Sequence, residues 1–291
     1  MGSSLRTYFL LIGLAPALWA PALCAFQQND EESTPDPRPR SFSFAIVPQR
    51  TATELAEHWT PLLTYLKDKT GYRFDFKTAR DIHTFKRRVA EGTYDLVYMN
   101  PYHYVAFRKT QGYRVFAKEK DRELTGIIVV RSDSAYRSLH DLQNQSLSFP
   151  APTAFAASLL TRAHLDREGI KYHASFVASH DSVYLGVVKN LFAGGGGILH
   201  TLETQPDEIR SKLRVLWTSR GYTPHALAAH PRVPPEIVEK VAAAIIGLQN
   251  DPSANRLLVP LGFKGFAHAA DSDYDSVRAL EPQMNALLKN E

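Results

Sequence analysis

Three consecutive residues, His180, Asp181 and Ser182, carry the side-chain types of a base, an orienting acid and a nucleophile. Neighbouring side chains on a loop entering a helix point in different directions, so the three cannot build a hydrolytic relay among themselves, and no catalytic residue is assigned. Two roles stay open. Either His180 donates to a bound oxyanion while Asp181 and Ser182 cap the helix, or all three only cap. Thr153 and Ala154 pose the same choice, because a hydroxyl and two amides can cradle an anion oxygen or simply start a helix. Tyr98, Asn100 and Tyr102 stand at the end of an apolar run from Asp95 to Met99, while Gln49, Thr51 and Thr53 follow the run Ser43 to Val47. Arg50 and Arg80 offer charge for an anion, although an exposed arginine is the ordinary expectation.

Other patterns exclude chemistry. The eleven histidines are scattered, and His225 and His230 flank a probable strand without the helical i, i+4 spacing and intervening Glu of a zinc motif. No metal site is expected. Gly194 to Gly197 lacks the strand-then-helix G-x-G-x-x-G spacing of a dinucleotide loop, and these glycines are read instead as letting two backbones approach closely. No cofactor is expected either. Lys86, Arg87 and Arg88 read as a solvated helix turn, and a net charge of +4 without a long basic block gives no nucleic-acid footprint.

The elements that must position these residues follow from hydrophobic periodicity. Strands are expected at Ser43 to Val47, Phe74 to Lys77, Asp95 to Met99, Gly126 to Arg131, Leu147 to Phe149, Ser175 to Ala178 and Arg214 to Thr218. Helices fall between them. Leu55, Trp59, Leu62 and Leu66 share one face of a helix that Pro61 should kink, and the chain ends in helices carrying Ile237, Val241, Ile245 and Leu248, then Val277, Met284 and Leu287. This alternation argues for α/β layers with mainly parallel sheets. Ligands of such sheets bind beyond the carboxyl ends of the strands, where helix N-termini offer unpaired N–H groups to a small anion.

The first residues set the compartment. Arg6, an apolar run from Tyr8 to Trp19 and small residues up to Ala25 have the layout of a cleaved signal peptide, shorter than a membrane span and interrupted by Pro16 and Pro21. Residues 1–25 are therefore assigned to export, and a periplasmic product is expected. The single cysteine, Cys24, lies inside that segment behind Leu23, a poor context for a lipid anchor. Residues 26–40, with prolines at 35, 37 and 39, read as a flexible leader. The mature chain has no cysteine, so its stability must come from an apolar core.

The order of several motifs resembles the phosphate, phosphite and phosphonate-binding proteins of ABC importers. These motifs are Ile46-Val47-Pro48-Gln49, Trp59-x-Pro61-Leu62, Asn100-Pro101-Tyr102, Ser138-Leu139-x-Asp141-Leu142, Pro152 to Ser158, and Ser179-His180-Asp181-Ser182. The resemblance implies a type II periplasmic-binding-protein fold, two α/β lobes with a ligand cleft between them. It implies one lobe from 41–127 plus 223–291 and another from 128–222. Its ligand-binding candidates are Gln49, Thr51, Tyr98, Asn100, Tyr102, Thr153, Ala154, His180, Asp181 and Ser182. Pro152-Thr153-Ala154-Phe155 departs from the Ser/Thr-Gly loop common in phosphonate binders, and Ala193 with the glycines replaces an acidic residue, which leaves the ligand open. The expected protein is a monomer that clamps a small anion for an ABC permease. A ligand-reporting partner of a membrane sensor kinase is the alternative, and a periplasmic hydrolase a more distant one.

Overall fold

Ser41–Ile46 alternates serine with phenylalanine, and Phe42 and Phe44 are buried while Ser41 faces out, the signature of a strand. The computed structural model describes residues 41–289. The expected signal segment and leader lie outside the described residues. The chain runs β1 (Ser41–Ile46), α1 (Ala52–Thr70), β2 (Arg73–Lys77), α2 (Ile82–Ala90), β3 (Leu96–Met99), α3 (Pro101–Gln111) and β4 (Arg114–Glu119). It continues through β5 (Gly126–Arg131), β6 (Gln145–Phe149), a π-helical turn (Phe155–Leu160) that runs into α4 (Thr161–Arg167), β7 (Tyr172–Phe176), α5 (His180–Val188) and β8 (Gly194–Ile198). Then come α6 (Leu199–Glu203), α7 (Asp207–Arg210), β9 (Leu213–Thr218), β10 (Ala226–Ala229), α8 (Pro235–Gly247), β11 (Phe266–His268), α9 (Asp275–Arg278) and α10 (Glu281–Lys289). α1 is continuous through Pro61.

Two sheets result, ordered β11-β4-β10-β3-β1-β2 and β7-β6-β8-β5-β9. The chain leaves the first sheet after β4 and returns with β10. Its two connections meet where Leu124 and Tyr222 form an isolated antiparallel bridge, with reciprocal backbone bonds of 2.7 and 3.1 Å. The mainly parallel expectation needs correction. β1 is parallel to β2 and β3, and β6 to β7 and β8, but β5, β9, β10, β4 and β11 pair antiparallel. The reason lies in the crossing. β5 and β10 enter from the connections, so Gly126 lies beside Ile198 and Ala226 beside Met99, at the carboxyl ends of their neighbours. They must therefore run the other way.

Apolar clusters cover both faces of the second sheet, around Val129, Val183 and Val187 on one side and Val130, Leu147 and Leu165 on the other. The core of the first sheet extends without a break to Phe155, Ala156 and Ala157 of the π-helical turn and to Ile198. The two lobes are thus closed on each other. β8 is the buried centre of the second sheet and consists of four glycines and Ile198. A Cβ on Gly196 would lie 2.0 Å from the Ala157 carbonyl oxygen, and one on Gly197 2.4 Å from the Tyr184 hydroxyl. The glycines let the π-helical turn and α5 pack directly on the strand backbone.

Candidate ligand-binding site

Four helices at the carboxyl ends of the strands begin with a side-chain cap. Thr51 accepts from the amide of Glu54, Asp81 from Thr84, Asn100 from His103 and Ser179 from Ser182. The π-helical turn differs, since Ala154 stands at its N-cap and no side chain bonds its first amides. An uncapped helix start presents N–H donors and partial positive charge to whatever faces it. What faces it is a pocket of 20 Å³ lined by Ala154 to Ala157, Gln49, Asn100, His180, His225 and a few apolar side chains. No carboxylate, lysine or arginine lines that pocket.

Its polar groups are held by neighbours. Asn100 Nδ2 donates to the Thr153 carbonyl at 3.2 Å, and His103 Nε2 lies 3.1 Å from Thr153 Oγ1, so the loop before the π-helical turn is tied to the start of α3. Gln49 Nε2 lies 3.2 Å from His225 Nε2; an amide nitrogen only donates, so the imidazole accepts there. The His225 ring stacks on Tyr98 at 5.0 Å. His180 Nδ1 is 3.3 Å from Thr201 Oγ1, which leaves Nε2 as its other ring nitrogen. Burial pushes His103, His180 and His225 each down to about 3, so all three are neutral near pH 7. The pocket is a set of neutral donors around a helix start.

The sequence candidates separate on this frame. Gln49, Asn100, Ala154 and His180 line the pocket, and Thr153 and Tyr98 support it from behind. Thr153 does not cap the π-helical turn, because its hydroxyl is turned toward His103. Thr51 serves as the cap of α1. The Tyr102 hydroxyl donates to Asn285 Oδ1 on α10, away from the pocket. The expected capping by Asp181 and Ser182 is corrected: Ser179 caps α5, Ser182 is exposed, and Asp181 accepts from Gln205. Arg50 bonds Glu54 and Thr204, whereas exposed Arg80 pairs with Asp81.

Sequence reasoning missed His103 and His225 as parts of the site. His103 carries a signal, three residues after a helix-capping Asn. His225 precedes Ala226-Leu227-Ala228-Ala229, where a probable strand was already legible, but only the fold shows that this strand starts at the cleft.

Beside the pocket lies a larger cavity of 440 Å³, which shares Gln49, Leu124, Ile198 and His225 as walls. Trp59, Tyr98 and Phe263 form an aromatic side of it, and Glu119 and Arg122 line it as well. The smaller space differs from it in its lining. Only there do uncapped amides and neutral donors meet with no competing carboxylate.

Two sheets joined by two crossing segments, with helix starts facing a cleft between them, define a two-lobed periplasmic-binding-protein fold. The PhnD1 protein of Prochlorococcus marinus in complex with methylphosphonate has this fold, with a TM-score of 0.79 at 17% identity over 85% of this chain and 99% of that one. A binding protein component of an ABC phosphonate transporter from Pseudomonas aeruginosa superposes with a TM-score of 0.78 at 17% identity, covering 86% of this chain and 88% of that one. A Xanthomonas citri protein bound to ATP is also similar, with a TM-score of 0.69 at 16% identity over 86% and 98% of the two chains. Residues 44–274 match the family described as ABC transporter, phosphonate, periplasmic substrate-binding protein, and the chain belongs to that family. Among the described residues no helix is long and apolar enough to cross a membrane.

Proposed function

We propose that this protein binds a small phosphonyl or phosphate-like oxyanion in the pocket at Ala154 to Ala157 and delivers it to an ABC permease. The observation that carries this reading is the uncapped π-helical start in a pocket lined only by neutral polar groups and apolar side chains. A carboxylate there would repel the ligand, and amide donors stabilise charge on several oxygens at once. His180 and His225 each add a ring nitrogen that becomes a donor in the right tautomer. Residues 41–127 with 223–291 act as one lobe and 128–222 as the other, except that Gly126 and Ile127, as the first residues of β5, pair within the second sheet and go with the second lobe. In the closed form 20 Å³ holds about one water-sized group, so a phosphonyl group enters with the lobes parted.

Calorimetric titration with phosphite, methylphosphonate, phosphate and sulfate tests the reading. At least one phosphorus oxyanion is expected to bind. At a hundred times its Kd it should stabilise the fold by about 2.7 kcal/mol. No binding by any of the four overturns the proposal.

A further inference from the structure

The paired connections between the lobes have a space on either side. Leu124 lines the cleft pocket and the cavity beside it, whereas its bridge partner Tyr222 lines a separate cavity of 280 Å³. The Tyr222 ring also meets Phe155, a wall of the cleft pocket, edge to face at 5.4 Å. This separate cavity is walled by parts that shift against one another when a two-lobed protein opens. Ala163 and His164 come from α4 of the second lobe, Leu280 and Gln283 from the entry and first turn of α10, and Arg220 and Tyr222 from the connection. α10 belongs to the first lobe, since Met284 is buried in that core and Tyr102 of α3 bonds Asn285.

The lining is aromatic and basic. His164 stacks on Trp217 with ring centres 4.3 Å apart and planes 19° apart. The Arg220 guanidinium lies 4.7 Å over the Tyr222 ring, and its Nε donates to the Tyr222 hydroxyl at 2.8 Å. Arg167 donates to His164 Nδ1, so the neutral imidazole keeps its proton on Nε2 as a further donor. No carboxylate lines the cavity. Glu168, 3.9 Å from Arg167 Nε, offsets part of that one charge from outside, which leaves Arg220 as the stronger pole. Ring faces with guanidinium groups beside them suit a planar anion, because arginine pairs with a carboxylate in fork geometry and also stacks on rings. A volume of 280 Å³ stands near the lower end for small-molecule sites, room for roughly one or two rings.

We propose that this cavity is an effector site for an aromatic carboxylate, whose ring lies against Trp217 and Tyr222 and whose carboxylate meets Arg220, with Arg167 and His164 beside it. The cavity takes its shape from both lobes in their closed arrangement, so its occupant binds that arrangement better than the open one. Linkage then requires the occupant to raise the affinity of the cleft for its own ligand. The site stands apart from the oxyanion reading, and only its coupling to a phosphorus oxyanion rests on that reading.

The test is calorimetric titration of the full chain with benzoate and indole-3-acetate, with cyclohexanecarboxylate and benzylamine as comparators. At least one aromatic carboxylate is expected to bind with a Kd of about 1 mM or tighter. The cyclohexane compound should bind roughly threefold or more weaker, and the amine not measurably. Arg220→Gln, at an exposed position, should weaken the aromatic carboxylate about tenfold or more. Saturation with that carboxylate should tighten methylphosphonate about fivefold or more, and small-angle scattering should show a smaller radius of gyration with the carboxylate alone. Binding by neither aromatic carboxylate, or binding that Arg220→Gln leaves unchanged, overturns the site. Competition with methylphosphonate does so too, because both would then occupy the cleft. Binding that brings neither tighter methylphosphonate nor a smaller radius overturns the effector role. If methylphosphonate itself does not bind, the oxyanion reading falls, while the aromatic titrations and the scattering still decide this one.

Discussion

His180 shows how burial decides what a titratable side chain can do. It is 2% exposed, held at Nδ1 by Thr201, and neutral near pH 7, so in the proposed site it would meet an anion as a hydrogen-bonding group and not as a countercharge. A hydrogen bond to a charged ligand contributes about 1.5–3 kcal/mol. His180→Ala is therefore expected to lower methylphosphonate affinity roughly ten- to a hundredfold by calorimetric titration. Wild-type affinity would remove His180 from the site. The identity of this residue as a candidate was legible because it follows a strand and opens a helix. Its partners were not, since Thr201 lies 21 residues away in the chain.

At the scale of elements, β8 was the hardest to read, because four successive glycines have the lowest strand preference and no side chains to alternate. Tertiary packing makes it a strand. Gly196→Ala puts a methyl group 2.0 Å from a backbone carbonyl and 2.6 Å from Phe149, and overpacking of this kind should destabilise the protein by about 3 kcal/mol in urea denaturation. Gly247 is the contrast. It closes α8 with helical torsions and nothing lies within 4 Å of an added Cβ, so Gly247→Ala should stabilise by about 0.4–1 kcal/mol in the same assay. An unchanged midpoint for Gly196→Ala would mean that the π-helical turn can withdraw from β8. β4, β10 and β11 were also left out of the strand reading or seen only by their flanks. β10 is Ala-Leu-Ala-Ala and β11 three residues long, too short or too rich in alanine for period-two alternation to register.

The molecule as a whole closes over histidines. His103 and His225 belong to one lobe and His180 to the other, and all are depressed from an ordinary 6.5 to about 3 by burial. The unfolded chain therefore binds more protons than the folded one between these limits, and stability rises with pH there. It is fully present above about pH 6.5 and is lost on acidification toward pH 3. Each histidine contributes a slope of up to about 1.4 kcal/mol per pH unit in the middle of that window. Denaturant midpoints are expected to fall from pH 7.5 to pH 5.5, and His225→Gln, which keeps a neutral polar group, should flatten the fall. A midpoint that does not change on acidification would show that these imidazoles reach solvent in the folded state.

What the chain determines by itself is the alternation of β and α elements, their apolar faces, the loops that end at helix starts, and the motif order that marks the family. These are local or periodic features, set by neighbouring residues and by the 2.0 and 3.6 repeats. Only the tertiary structure decides which uncapped helix start faces the cleft pocket, that β5 and β10 run against their neighbours, and that Gln49 meets His225 across 176 residues. The physical reason is that the proposed anion site is made from unsatisfied amides and neutral donors brought together by chain crossing. Whether an amide is satisfied depends on every group the fold places near it, and no window of sequence contains that information.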